Sequence, residues 1–326
     1  MALPALAAVR GALPDAHIAI AAVPAVAPIF EEQTGLAPDE VVTISNRRRE
    51  ASLLAAGQFD AELLLPNSFR SAWDGRRAGI AQRWGFSTSL RGVLLTRAVS
   101  PPRARVHQSA YYGALAAGLG FDVTDSLPWI RVRDETARRA AALLGKHGVT
   151  SSMRIVGFAP GAAYGHAKRW PPSRVAEVVA RVTKERGAVA VLVGADSDRG
   201  AGREIESALP SGVTVVNLIG RTDLRQLAGV LSRCAGFVSN DSGAMHLAAA
   251  VGAPVTAIFG PTDERVTSPL GDHDVLVHPV FCRPCMLRDC PIDHRCMKRI
   301  SADVVFDALS RRLETGSVPR PDAAPR

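Results

Sequence analysis

From Arg154 to Phe259, short aliphatic runs alternate with amphipathic stretches almost without interruption. Arg154–Ala159, Ala188–Val193, Val213–Val216, Gly236–Ser239 and Pro254–Phe259 read as strands. Between them Pro172–Arg186, a segment ending near Leu209, Thr222–Cys234 and Gly243–Val251 read as helices. Pro172 suits a first helical turn, where no backbone donor is needed, and Thr222 offers an N-cap. Aliphatic strands separated by helices are what a parallel sheet covered on both faces demands. The pattern therefore predicts a doubly wound α/β domain, whose ligands bind beyond the carboxyl ends of its strands.

The first half repeats the plan less regularly. Strands are expected near His17–Val23, Glu40–Ile44, Asp60–Leu65 and Gly92–Thr96, with a helix around His107–Ala117. Asp134–Lys146 has an acidic first turn and a basic last turn, which suits the helix dipole. A chain of 326 residues suggests two domains. They are expected at 1–150 and 151–314, divided near Thr150–Ser152, with Ser301–Leu313 as a closing helix and the Pro-rich 315–326 as a disordered tail. The opening stretch ALPALAAVRGAL reads as a helix, whereas a Rossmann-type half normally opens with a strand and a ligand-facing loop.

Several classes drop out. With 47% hydrophobic and 21% charged residues, the chain is neither a disordered polymer nor a coiled coil. No run approaches the roughly 20 apolar residues of a membrane span. The N-terminus lacks a basic leader and meets Pro4 and Arg10 early, so it is not read as a signal peptide and a cytoplasmic location is expected. The net charge of +8 favours anionic partners. Nucleic acid is set aside, because aromatics are only 5% and form no basic–aromatic array. Arg47-Arg48-Arg49 reads as a solvated turn, with attraction to an anionic saccharide or membrane leaflet as the alternative.

Three strand-to-helix loops carry candidate chemistry. Pro160–Pro171 (PGAAYGHAKRWP) has small residues that let a ligand approach the backbone, with Lys168 and Arg169 placed to neutralise a diphosphate. In Ser239–His246 (SNDSGAMH), Asp241 or Ser242 can cap the following helix and leave its N-terminal donors aimed at an anion, with His246 in the first turns. Phe259–Asp263 (FGPTD) closes the next strand and lines the same crevice. A ribose-binding acid is expected just past Val193-Gly194, at Asp196 or Asp198.

PGAAYGHAKRWP, NDSGAMHLAAAVGAPVTAIFGPTD and TSPLG, together with LLLPNSFRSA and RWGF in the first half, resemble glycosyltransferase family 9, the ADP-heptose:lipopolysaccharide heptosyltransferases. Within that family they are most similar to the heptosyltransferase II type. The resemblance runs from Met1 to about Leu313. It implies a GT-B architecture of two Rossmann-like domains facing across a cleft, the first binding a lipid-linked inner-core acceptor and the second an ADP-sugar. It further implies inverting, metal-independent transfer of heptose from ADP-L-glycero-D-manno-heptose to a heptosyl-Kdo-lipid A type acceptor. No cofactor is required. Lys168 and Asp241 are the implied catalytic residues. Gly161, Lys168, Arg169, Asp241, Ser242, Gly243, His246 and Thr262 are the implied substrate-binding set. The family also opens with a strand and a Gly-Asp loop whose Asp serves as general base. Here the chain starts on what normally follows that loop, so the base is expected upstream of Met1. A family-9 transferase with another sugar or acceptor, and a non-catalytic nucleotide-sugar-binding remnant, remain the alternatives.

Cys282, Cys285, Cys290 and Cys296 cluster in sequence. Their spacing fits no standard zinc ribbon, so a structural metal site and a loop of reduced or redox-labile thiols stay open. Cys234 stands apart and reads as a small buried hydrophobe.

Overall fold

The computed structural model describes residues 1–46 and 48–314. Arg47 and the expected tail at 315–326 lie outside the described residues. Contacts divide the chain into Met1–Pro128 and a second unit that begins at Trp129.

In the first unit the chain opens in helix α1 (Leu3–Ala12), which buries Leu6 and Val9. Strand β1 (Ala19–Ala22) pairs in parallel with β2 (Glu40–Thr43). Helix α2 (Glu50–Ala56) follows. Strand β3 (Ala61–Leu64), helix α3 (Phe69–Arg77), strand β4 (Gln82–Phe86) and strand β5 (Arg97–Val99) come next, and the three strands form a parallel sheet of their own. Helix α4 (Gln108–Gly118) then packs on α1. The strand expected over Gly92–Thr96 is not there. Arg91–Leu94 forms a 3-10 turn instead, and the strand starts at Arg97. The reason is Arg91, whose fully buried guanidinium donates to the carbonyls of Phe86, at 2.8 Å, and Pro66 and so pulls the chain out of the sheet.

The second unit holds helix α5 (Asp134–Gly145), strand β6 (Ile155–Ala159), helix α6 (Pro172–Arg186), strand β7 (Val189–Leu192), helix α7 (Arg199–Ala208) and strand β8 (Val216–Asn217). Helix α8 (Leu224–Leu231), strand β9 (Cys234–Asn240), helix α9 (Gly243–Ala250), strand β10 (Val255–Phe259), strand β11 (His273–Val277) and helix α10 (Ala302–Glu314) are its other principal elements. Six of its strands form one parallel sheet, in the order β8-β7-β6-β9-β10-β11. Helix α5 packs on α8, so it belongs with this sheet. That packing moves the division from the expected Thr150–Ser152 to Pro128–Trp129.

Every residue of β6 and β10 is buried, as expected for strands covered on both faces. Val156 and Phe158 of β6, Val178 and Val179 of α6, Leu192 of β7 and Phe306 and Leu309 of α10 belong to one apolar cluster. Pro172 begins α6 as the sequence suggests. Helix α8 is capped by Asp223 rather than Thr222: the Asp223 carboxylate accepts the Gln226 N–H at 2.7 Å while Gln226 reaches back to the Asp223 N–H at 3.1 Å, a reciprocal pair that satisfies two donors at once. Cys234 is fully buried, and burial pushes its thiol up to about 12.

Candidate functional site

The strand order reverses between β6 and β9, where loops leaving adjacent strands turn opposite ways and open a crevice. The three loops singled out from the sequence all leave the carboxyl ends of β6, β9 and β10.

Asn240, the last residue of β9, ties the first loop down at both ends. Its amide nitrogen donates to the carbonyls of Pro160 (2.8 Å) and Gly161 (3.3 Å), and its oxygen accepts the Trp170 N–H at 3.2 Å. Trp170 is itself buried and donates its indole N–H to the Ile300 carbonyl at 3.0 Å. The cationic segment between these anchors is therefore held by a closed polar network rather than left as a free loop.

Lys168 and Asp241 meet across the crevice. The ammonium donates to Asp241 Oδ2 at 2.7 Å, with side-chain exposures of only 12% and 7%, and lies 4.8 Å from the centre of the Tyr164 ring. One of its three donors is spent on Asp241. Arg169 sits at 3.4 Å from Asp198, whose other oxygen accepts the Ala195 N–H at 3.0 Å. The Arg169 Nε is buried with no protein partner. Gly161 is required by this arrangement, since a Cβ there would lie 2.1 Å from the Asp198 carboxyl carbon. Of the two acids proposed for ribose, Asp198 is buried and committed to Arg169 and Ala195, while Asp196 is exposed beside Arg199.

Ser242 caps α9, its hydroxyl accepting the Met245 N–H at 3.4 Å and lying 3.0 Å from Ser239 Oγ. This leaves Asp241 free of the capping role and available to Lys168. Gly243 starts the helix, and its N–H and that of Ala244 have no carbonyl behind them within α9. His246 is half-buried in the first turns of the same helix. Thr262, after β10, is buried with its hydroxyl unpartnered. The switch point thus gathers two cations, a helix N-terminus and orphaned polar atoms. That combination suits a diphosphate.

The sequence reading missed a contribution from 281–296. Arg283 donates to the carbonyls of Gly260 (2.8 Å) and Thr262 (3.1 Å) and to Glu264 at 2.7 Å, fixing the third loop. Tyr164 donates to the Met286 carbonyl at 3.0 Å and Ala167 N–H to the Arg288 carbonyl at 2.9 Å, fixing the first. Gly165 accommodates this approach, because a Cβ there would lie 2.3 Å from the Arg288 carbonyl oxygen. Its signal in the sequence is the set of three arginines, Arg283, Arg288 and Arg295, interleaved with the clustered thiols.

Among the described residues no group of three or more His, Cys, Asp or Glu side chains is disposed to hold a metal ion. The Cys290 sulfur accepts the His294 N–H at 3.3 Å. Partial burial pushes its thiol up, but the N–H groups of Ile292, His294 and Asp293 outweigh that and hold it below the ordinary value. Burial, reinforced by the neighbouring thiols, raises Cys296.

Comparison with known proteins identifies the family. The model of glycosyltransferase family 9 (heptosyltransferase) matches residues 47–295. Lipooligosaccharide heptosyltransferase 2 of Haemophilus influenzae is 34% identical over 230 residues, 68% of this chain and 66% of that protein. Lipopolysaccharide heptosyltransferase 2 of Escherichia coli is 34% identical over 235 residues, 70% of this chain and 67% of that one. The matched stretch thus spans about two thirds of these relatives' length. The solved structure of E. coli ADP-heptose lps heptosyltransferase II superposes with a TM-score of 0.82 at 27% identity, covering 96% of this chain and 94% of that one. With the α/β fold of that enzyme and the family's loops at its switch point, this chain belongs to glycosyltransferase family 9, the heptosyltransferases.

Proposed function

We propose that the protein transfers heptose from ADP-heptose to the inner core of lipopolysaccharide, with inversion and without a divalent ion. The observation that carries the reading is the Lys168–Asp241 pair at the switch point, flanked by Arg169 and the start of α9. An acceptor hydroxyl attacks the anomeric carbon from the face opposite the nucleotide and gives up its proton to solvent. The bond to the ADP oxygen breaks, and ADP leaves with the electron pair. The charge that grows on the leaving diphosphate is met by Lys168, Arg169 and the N–H groups of Gly243 and Ala244, preorganised by Asp241, Asp198 and Ser242. His246 and Thr262 line the remainder of the donor site, and Gly161 gives the donor access to the backbone.

Among the described residues no helix is long and apolar enough to cross a membrane. The acceptor is a lipid-linked saccharide, so the enzyme works in the cytoplasm and meets the inner membrane as a peripheral protein. The test is ADP release from ADP-heptose with a heptosyl-Kdo-lipid A type acceptor, with and without EDTA. Turnover that survives EDTA is expected. Turnover only with another donor or acceptor reassigns the substrate within the family. Donor binding without turnover makes the chain a nucleotide-sugar-binding protein.

A further inference from the structure

We infer that a raised apolar edge on the first unit, made by α3 and the turn after β4, docks this protein on an anionic bilayer surface. The inference rests on the peripheral-membrane reading above and says which face makes the contact.

Leu90 and Val93 are the two most exposed large hydrophobic side chains of the described residues, at 89% and 82%. Their exposure is built in, not a frayed loop. Ser89 and Leu90 both adopt left-handed backbone, φ 52° and 58°, a conformation that costs residues bearing a Cβ. The next residue, Arg91, is fully buried, and its guanidinium donates to the Phe86 and Pro66 carbonyls, to Ser71 Oγ and to Asn67 Oδ1. A buried arginine thus locks a strained turn whose outcome is to hold Leu90 and Val93 in solvent.

The turn Arg91–Leu94 packs on α3, and that helix has exposed apolar side chains of its own. Phe69 and Trp73, one helical turn apart, are both nearly half exposed and stack with ring centres 6.4 Å apart. Arg76 and Arg77 share that outward arc of the helix, at seven and eight residues from Phe69. The one acid of α3, Asp74, is buried and paired with Arg70 at 3.2 Å. The exposed arc of α3 is therefore aromatic and cationic, with no exposed acid of that helix beside it. Aromatic rings lodge at the headgroup level of a bilayer, aliphatic tips enter just beneath, and arginines meet acidic headgroups.

The experiment is co-sedimentation of the full chain with vesicles of phosphatidylcholine, with and without one quarter phosphatidylglycerol, in the absence of donor and acceptor. Failure here is thus separable from failure of sugar transfer. Binding to the anionic vesicles that weakens with salt is expected. Leu90→Ser with Val93→Ser should lower the partition coefficient about tenfold or more, since two aliphatic side chains lose their burial. Arg76→Ser with Arg77→Ser should abolish the preference for anionic vesicles. All four positions are exposed, so melting temperatures should hold. Equal binding by parent and Leu90→Ser/Val93→Ser, or no preference for the acidic lipid, overturns the inference. It also falls if the parent ignores vesicles but elutes as a dimer that the same double variant turns into a monomer, because the occupant is then a second copy.

Discussion

The two units reach parallel α/β structure by different means. In the second, six strands run side by side and pair their backbone groups in one parallel ladder. In the first, the strands described above form a pair and a triplet, and arginines reach the carbonyls that no ladder covers. Arg10 donates to Leu36 and Ala16, Arg83 to Leu94, Arg91 to Phe86 and Arg97 to Leu119, at 2.7–3.1 Å. A buried carbonyl must be paired by something, and a guanidinium with five donors can serve several turns at once. The lesson concerns where precision is stored. In the second unit it lies in the sheet, and the functional loops inherit it through Asn240 and Arg283. In the first it lies in individual side chains, so single substitutions there act on local geometry.

This difference also decided what could be read in advance. Strands β6, β7 and β10 were legible because burial on both faces demands unbroken aliphatic runs. Strand β4, QRWGF, was not, because polar and aromatic residues break the run and its neighbour's backbone supplies the pairing. GVLLT looked like a better strand than QRWGF, yet Arg91 draws it into a turn. Edge strand β11 is only half-buried and escaped for the same reason. The Lys168 and Asp241 loops were legible as strand-to-helix loops of small and charged residues. That these two residues pair was not, since 73 positions separate them. Arg283 was missed because its partners, Gly260, Thr262 and Glu264, are set by the path of a loop without periodicity.

The largest expected effect tests the switch point itself. Lys168→Ala removes a charge placed where the leaving group develops its own, and kcat should fall about 100- to 1000-fold; it also leaves the buried Asp241 carboxylate without its partner, so the melting temperature should fall as well. A loss below about tenfold in ADP release would move the catalytic burden to Arg169. Arg283→Ala comes next, because it strips two carbonyls and Glu264 of one shared partner. It should destabilise the second unit by about 2–3 kcal/mol and raise the donor KM more than it lowers kcat. If it alters neither, loop order does not depend on 281–296. Gly161→Ala forces a methyl against the Asp198 carboxyl and should cost about 1–3 kcal/mol in denaturant unfolding. A neutral result there means the loop shifts freely, and the rigid picture of the second unit breaks.

The smallest effect isolates the first unit. Glu62, in β3, lies against Gly75 of α3, and its Oε1 is buried without a partner. Burial pushes its carboxyl up from 4.5 to about 7; Arg83 and Arg91 pull it down, and Glu50 and Asp74 push it further up. The folded unit thus prefers the protonated acid. Its contribution is fully present below pH 4.5 and is lost as the pH rises through 7, because ionising a buried carboxyl then opposes folding. Allowing for the residual exposure of the group, the loss amounts to about 1 kcal/mol between pH 5 and 8. Glu62→Gln keeps the shape and cannot ionise, so it should flatten this dependence. Amide exchange, corrected for intrinsic rates, should show β3 and β4 opening more easily at pH 8 than at pH 5 in the parent and equally at both in the variant. Strands β6 and β9 should show no such dependence in either protein. The comparison between a unit held by its sheet and one held by its side chains fails if β6 and β9 follow the same pH slope.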